Sequence, residues 1–255
     1  MTKPVYHLPP VVVEACPYIL LPGDPERVDL ILSRLSHPEF LGQRREFRIG
    51  RGDLHGIPIM VVSTGVGGPS TAIIVHELHA LGAKTLIRVG TAGSLTPQVH
   101  VGQLILASGA IRDEGTSRQY LPIEFPAMAS IEVLDELRVG LAAISPRPVV
   151  HIGVVHSKDA FYAQKRPSDL PLEESHQMRY RTWVRGGALA SEMECATLFI
   201  VGQSLGCRTA AILQVMSSPF EPTIPRPNFD TYLDYVMEAM HYLIRVDVAT
   251  DADRD

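Results

Sequence analysis

The chain has 255 residues, of which 45% are hydrophobic and 6% aromatic, and its 23 basic and 28 acidic residues give a net charge of −5. This is ordinary globular composition, and the length allows one large α/β domain or two small ones. The acidic balance argues against a general nucleic-acid binder, which carries a basic excess.

The sequence offers no signal for a membrane or for secretion. No apolar run approaches the ~18 residues that a membrane span needs. Residues Met1–Pro10 have one Lys and three Pro but no hydrophobic signal core. The cysteines Cys16, Cys195 and Cys207 have neither metal-ligand nor redox spacing, which is typical of reduced thiols. A cytoplasmic protein is therefore expected.

Strand-like apolar runs alternate with helix-like periodic segments along the whole chain, which indicates an α/β fold. Several runs are apolar on both faces, as expected of strands covered by helices on both sides. The predicted strands are Tyr18–Leu21, Ile57–Ser63, Thr85–Val89, Gln103–Ala107, Val149–Val155 and Ala210–Val215. Neither a repeat nor a low-complexity linker interrupts them, so a single domain over residues 1–255 is expected.

Helical spacing predicts five helices. Asp24 is the predicted cap of the first, with Pro25 at its first position. The others are predicted at about Ser70–Leu81, Ser130–Ala143, Leu189–Leu205 and Phe229–Val248. Residues 249–255 are expected to be a frayed tail. The polar segment 167–187 predicts a long loop, of a kind that is usually functional or mobile.

Three predicted strands end in glycine-containing turns, at residues 21–25, 64–70 and 89–94. In an open α/β sheet ligands bind beyond the carboxyl ends of the strands, where glycine lets backbone N–H groups approach an anion. Gly65, Gly67 and Gly68 do not fit the GxGxxG spacing, and no Walker-type motif is present. An NAD-linked dehydrogenase is therefore not supported.

Charged residues stand beside these turns. Arg88 lies within an apolar strand, where a guanidinium needs an anionic partner, either a bound anion or a structural carboxylate. Arg27 follows one helical turn into the first helix. Glu192 and Glu194 fall within the predicted helix Leu189–Leu205, where residues two apart point to different faces, so at most one of them is expected in a given site. Taken alone, His7 and Arg45 are typical solvated residues.

Seven ordered motifs together resemble the nucleoside phosphorylase family of the uridine phosphorylase and hexameric purine nucleoside phosphorylase type. They are LPGDPER at 21–27, REF at 45–47, STGVGGPS at 63–70, RVGTAG at 88–93, EFPA at 124–127, DAFY at 159–162 and EMECAT at 192–197. The resemblance implies a single α/β domain with a mixed, partly barrel-like central sheet flanked by helices. It also implies a homo-oligomer, a hexamer built from dimers.

The implied reaction is the reversible phosphorolysis of a nucleoside to the free base and ribose 1-phosphate. Phosphate is then a co-substrate, and neither a metal nor an organic cofactor is required. The resemblance assigns phosphate binding to Gly23, Arg27, Arg88, Thr91 and, from a neighbouring subunit, Arg45. It assigns ribose binding to Thr91, Met193, Glu194 and, from a neighbour, His7. A monovalent cation such as potassium is implied at a subunit interface near Glu46, Val66 and Ser70.

The base pocket distinguishes members of the family. Phe161 is implied to stack near the sugar and base, and Gln164 with Arg166 resembles the Gln-x-Arg pair that holds uracil in uridine phosphorylases. An amide and a guanidinium suit the carbonyl oxygens and N–H of uracil. Met216 stands where purine-specific relatives have an aspartate. A pyrimidine nucleoside, uridine above all, is therefore expected, with Arg88, Glu194, Arg166 and Gln164 as the catalytic residues.

Two departures from the uridine phosphorylase pattern keep alternatives open. The Gln-x-Arg turn is one residue shorter, and an Asn-Arg pair is replaced around Ser218 and Pro219, although Arg226 stands nearby in the sequence. The alternatives are a purine nucleoside phosphorylase, a nucleosidase that uses water in place of phosphate, and a nucleoside-binding paralogue without turnover.

Overall fold

The central feature of the fold is a mixed β-sheet that closes on itself over part of its width. The computed structural model describes residues 5–165 and 167–252. The strands in these residues are β1 Tyr18–Pro22, β2 Ser36–Arg44, β3 Phe47–Leu54, β4 Ile57–Val62, β5 Thr85–Ser94, β6 Leu104–Asp113, β7 Ala127–Met128, β8 Val150–Lys158, β9 Ala190–Glu192 and β10 Arg208–Ser217. The helices are α1 Glu26–Leu32, α2 Gly68–Ala80, α3 Ile131–Ala143, α4 Phe161–Lys165, α5 Glu173–Arg185, α6 Cys195–Ser204 and α7 Phe229–Ala252, with 3₁₀ turns at Ser117–Gln119 and Pro167–Asp169.

Strand β5 is the junction of the sheet. It pairs in parallel with β1 and β10, and its carboxyl end pairs antiparallel with β9 through Gly93 and Ser191. The series β5, β10, β6, β8 and β9 returns to β5, which closes a five-stranded ring, and β1, β4, β3 and β2 extend from the other side of β5. This confirms the predicted α/β fold with a mixed, partly barrel-like sheet.

Helices cover the sheet and supply much of the core. Residues 195–202 of α6 are all buried, as expected of a helix that is apolar around its whole circumference. Helix α6 packs between α2 and the ring, and α3 packs against α7. Tyr232 of α7 is fully buried, and its hydroxyl donates to the carbonyl oxygen of Ile212, 2.7 Å away. None of the described helices is long and apolar enough to cross a membrane.

All six predicted strands are present, but five of them extend further at the carboxyl end than predicted. Strand β5 continues through the predicted turn to Ser94, and β8 continues to Lys158. Gly90 therefore lies within a strand, where a Cβ would approach Arg88 Cζ and Leu213 Cδ2 to 2.8 Å. Glycine is required there because the Arg88 side chain lies over the backbone.

Four further strands, β2, β3, β7 and β9, are not predicted from the sequence. Strands β2 and β3 form a hairpin over residues 36–54 at the edge of the sheet. Most of β2 is exposed, so it lacks the alternation of apolar and polar residues by which a half-buried strand is recognised.

Several predicted helix boundaries were wrong. Residues 167–187 do not form one long loop, since α5 occupies Glu173–Arg185; none of its side chains is fully buried, and most of its residues are charged or polar. The predicted helix Leu189–Leu205 divides into β9 and α6. Pro25 caps α1, while Asp24 Oδ1 accepts the Glu26 N–H over 3.0 Å. Helix α7 continues to Ala252, through part of the expected tail.

Candidate functional site

A cavity of about 950 Å³ opens where the strands β1, β4, β5, β8, β9 and β10 end. The glycine turn that follows β1 and the end of β5 line one part of it, and the segment after β10 lines another. This is the position at which open α/β sheets bind ligands. Three stretches that are distant in sequence thus share one pocket.

Arg88 lies in the wall of this cavity, with its side chain only 6% exposed. Its Nη2 is 2.5 Å from Glu194 Oε2, and its Nε is 3.2 Å from Glu192 Oε2. Burial lowers the pKa of Arg88, but Glu194 and then Glu192 more than offset this, so its pKa lies above the ordinary value. The carboxylate partners make the buried charge tolerable.

One edge of the Arg88 guanidinium is left without a protein partner. Among the described residues, Nη1 has no hydrogen-bond acceptor although it is buried. A Cβ placed on Gly23 would lie 3.8 Å from Nη1, so this nitrogen faces the turn after β1. A buried charged donor without an acceptor is costly unless a ligand supplies one. The sequence left two possible partners for Arg88, a structural carboxylate and a bound anion. The structure is compatible with both, because the guanidinium pairs with carboxylates and also has an edge without a protein partner.

Arg27 provides a second cation at the same end of the cavity. Its guanidinium carbon lies 4.4 Å from the ring centroid of Phe229, in a cation–π contact. Burial lowers the pKa of Arg27, and among the smaller effects the charge of Arg88 lowers it too. Gly23 and Thr91 line the same part of the wall. Two cations that repel each other across a glycine turn favour an anion between them.

Glu192 and Glu194 both point toward Arg88, so the prediction that at most one would enter a site was wrong. Glu192 ends β9, and Met193 and Glu194 form a bend before α6, so the helical spacing on which that prediction rested does not apply here. Glu192 accepts the N–H groups of Glu194 and Cys195 at the start of α6, at 2.8 and 3.0 Å. Glu192 therefore has a structural role as well.

The Glu194 carboxylate, unlike that of Glu192, does not accept the backbone N–H groups at the start of α6. Its Oε1 accepts the Gly67 N–H over 2.6 Å, and its Oε2 pairs with Arg88. Burial raises the pKa of Glu194; Arg88 opposes this shift, and the neighbouring Glu192 adds to it. Glu194 and Met193 line the cavity together with the two arginines and Phe161.

The other end of the cavity contains Phe161 and Gln164, as predicted for the base pocket. Phe161 is 46% exposed, so its ring has surface that a ligand can cover. Ser191 Oγ donates to Gln164 Oε1 over 2.8 Å. Arg166, predicted beside them, lies outside the described residues.

His7 and Arg45 do not line the cavity of their own chain. His7 Nδ1 contacts Glu77 Oε1 at 2.8 Å, and the Glu77 carboxylate also accepts the backbone N–H groups of residues 6–8. Arg45 is exposed at the tip of the β2–β3 hairpin, with φ +55°. Their expected action on a neighbouring subunit stays a prediction.

The residues of the expected cation site meet near the rim of the cavity. Ser70 Oγ donates to Glu46 Oε1 over 2.8 Å, and Val66 is 73% exposed. The carboxylate and hydroxyl oxygens are ligands that hard cations prefer. No group of three or more His, Cys, Asp or Glu side chains within residues 5–165 and 167–252 is arranged to hold a metal ion. The potassium site stays a prediction.

Several residues of the cavity wall were not assigned a role from the sequence, among them three polar or charged ones. Lys158 and Ser191 line its aromatic end, and Arg226 lines it from the exposed loop before α7. The signal for Lys158 was a charge at the end of an apolar strand, the same signal that identified Arg88. It was missed because the predicted strand ended at Val155. Met216 lines the cavity too.

Comparison with known proteins agrees with this architecture. The profile of the Phosphorylase superfamily matches residues 17–241. The uridine phosphorylase of Treponema pallidum (strain Nichols) is 43% identical over 201 residues, covering 79% of this chain and 77% of the relative. That of Thermococcus kodakarensis is 40% identical over 215 residues, covering 84% and 77%. The guanosine phosphorylase of Halorubrum lacusprofundi is 38% identical over 196 residues, covering 77% and 76%. With this match and this site, the chain belongs to the phosphorylase superfamily.

Proposed function

We propose that the protein is a uridine phosphorylase, a pentosyltransferase that converts uridine or another pyrimidine nucleoside and phosphate reversibly to the free base and ribose 1-phosphate. The observation that carries the proposal is Arg88, which is buried, paired with Glu194 on one edge and directed toward the Gly23 turn on the other. Relatives named uridine phosphorylase match most of the chain at up to 43% identity.

Phosphate binding is the first requirement of this reaction. Arg88 Nη1 and Arg27 offer guanidinium donors that match phosphate oxygens, and Gly23 leaves room for the anion next to the backbone. Thr91 adds a hydroxyl to the same wall, and Arg45 of a neighbouring subunit would complete the set. A phosphate held there attacks C1′ of the nucleoside, the C1′–N bond breaks, and its electron pair leaves with the base. No covalent enzyme intermediate is needed, since positioning and charge lower the barrier.

The sugar acquires positive charge as the bond to the base breaks. Glu194 lines the same cavity as the arginines and Phe161, and its carboxylate would accept hydrogen bonds from the ribose hydroxyls and favour the cationic ring. Met193 would contact the same sugar, with His7 of a neighbour on its far side. Glu194 acts in its ionised form, which its ion pair with Arg88 favours despite burial.

The base acquires negative charge. Gln164 would hold the uracil ring beside Phe161, and Arg166 would stabilise the departing anion. The cavity lining also favours a pyrimidine nucleoside as the substrate. Met216 stands at the place of the purine-specific aspartate, and its side chain has no proton to donate to a purine ring. The relative named guanosine phosphorylase makes a purine nucleoside the second candidate.

The proposal includes an assembly and a location. His7 and Arg45 lie outside the cavity of their own chain, so a complete site requires another copy, and a cytoplasmic hexamer built from dimers would supply it. The reaction uses phosphate as a co-substrate and requires no metal or organic cofactor. A potassium ion near Glu46 and Ser70 would then join subunits rather than take part in the chemistry.

A panel of nucleosides, assayed with and without phosphate, tests the function directly. We expect uracil and ribose 1-phosphate from uridine, only when phosphate is present, with slower release from inosine, guanosine and adenosine. Base release without phosphate would show a nucleosidase, and faster turnover of purines would show a purine nucleoside phosphorylase. Uridine binding without any product would show a paralogue that does not turn over.

A further inference from the structure

Lys158 is a buried cation in the wall of the cavity, at the aromatic end. It is the last residue of β8 and is only 7% exposed. Its Nζ donates to Ser191 Oγ over 2.6 Å and lies 5.8 Å from the ring centroid of Phe161. The ammonium is thus placed beside the surface that the base is expected to cover.

The position of the Lys158 ammonium is set by a series of buried contacts. Ser191 Oγ lies 3.1 Å from His156 Nδ1, and His156 Nε2 lies 2.9 Å from Asp113 Oδ2. Burial first, and then the charge of Lys158, lower the pKa of His156 to about 4. His156 is therefore neutral at pH 7, so it adds no second cation beside Lys158.

The departing base needs positive charge at this end of the cavity. A charge in a buried, preorganised position stabilises a developing anion more than the same charge in water. Arg226 lines the cavity too, but it is exposed and lies on a loop, so water screens its charge. Of these two cations, Lys158 is the one placed to act on the reaction.

We propose that Lys158 is a catalytic residue on the base side of the site, whose ammonium donates a hydrogen bond to a carbonyl oxygen of the departing base. As the glycosidic bond breaks, its electron pair moves onto the base, and the ammonium stabilises the resulting anion without transferring a proton. This inference rests on the proposed phosphorylase function. It also indicates that the site accepts nucleosides whose base carries a carbonyl acceptor.

The test compares Lys158→Met with the control Arg138→Gln on two substrates, uridine and 5-fluorouridine; Arg138 is an exposed residue of α3 that does not line the cavity. The fluorinated base is more acidic, so its anion leaves more readily and needs less stabilisation. We expect Lys158→Met to lower kcat/KM for uridine by about 100-fold, with a clearly smaller loss for 5-fluorouridine. Arg138→Gln is expected to change kcat/KM by less than about twofold, equally for both substrates.

Further measurements separate a catalytic role from a structural one. Lys158→Arg retains the cation and is expected to recover part of the uridine activity, and phosphate binding measured by calorimetry should be unchanged in Lys158→Met. Equal losses for the two nucleosides, or no loss at all, would overturn the role of Lys158. A wild-type enzyme that does not cleave uridine with phosphate would instead overturn the proposed function, and the inference with it.

Discussion

Replacing Arg88 by Met tests the centre of the site, because it affects stability and catalysis by different routes. The side chains of Arg88, Glu192 and Glu194 are 6%, 1% and 6% exposed. Removing the cation leaves two buried carboxylates without a counterion, and breaking a buried ion pair in this way costs about 3–5 kcal/mol. This is a large share of the roughly 5–15 kcal/mol by which a domain is stable. The loss of a preorganised donor lowers turnover by about 100-fold or more.

The double variant Arg88→Met/Glu194→Gln separates the two effects. It removes the carboxylate that pairs with Nη2, while Glu192 keeps the N–H groups at the start of α6. Urea denaturation should show a smaller loss of stability than in Arg88→Met alone, by at least about 1 kcal/mol, since fewer unpaired charges are buried. Phosphorolysis, followed by the absorbance of released uracil, should stay at least about 100-fold below wild type.

Arg27→Met is the matched control, because Arg27 stacks on Phe229 rather than pairing with the two glutamates. It should lower phosphorolysis without the large loss of stability. The reasoning would be refuted if Arg88→Met were as stable as wild type, or if the double variant recovered activity together with stability.

Three further predictions concern other parts of the molecule. Glu192→Gln should lower stability by about 1–2 kcal/mol in urea denaturation, because the carboxylate accepts two N–H groups at the start of α6; wild-type stability would show that an amide serves equally well. The pKa of His156 falls from 6.5 to about 4 on folding, so between these pH values the unfolded chain binds more protons than the folded chain. The free energy of unfolding should therefore fall by about 3 kcal/mol as the pH is lowered from 6.5 to 4. His156→Gln should flatten this part of the pH profile, and an unchanged profile would assign the effect to other groups. A third test mixes two inactive variants, His7→Ala and Arg88→Met, by unfolding and refolding them together in equal amounts. If the two chains of a dimer share their sites, about half of the dimers are mixed and each has one intact site, so about a quarter of wild-type activity should return. No recovery would place His7 outside the neighbour's site.

Much of the phosphate end could be predicted from residue types and local pattern. Arg88 within an apolar strand required an anionic partner wherever the strand lay, and the glycine turn at Gly23 indicated a place where backbone approaches a ligand. These features depend on a few adjacent residues, so no knowledge of the fold was needed. The family resemblance then connected them with Arg27, Thr91 and Glu194, all of which line the cavity.

The parts that were missed depend on contacts between distant segments. The register of β9 on β5, with Ser191 opposite Gly93, brings both Glu192 and Glu194 to Arg88. A helical assignment of that stretch cannot show this, because Glu192 ends a strand and Glu194 stands in a bend before α6, so helical spacing does not relate the two residues. Helix α5 was missed for a different reason: none of its side chains is fully buried, and most of its residues are charged or polar, so the stretch resembles a polar loop.

The sequence by itself determined the fold class, six strands of the sheet and the identity of the buried arginine, because apolar periodicity and the cost of burying a charge act locally. Only the tertiary structure decided which carboxylates pair with Arg88, that Lys158 enters the cavity, and that His7 and Arg45 stay outside it. Those outcomes follow from strand register and ring closure, which join residues about a hundred positions apart. Local sequence patterns do not show which residues so far apart in the chain come into contact.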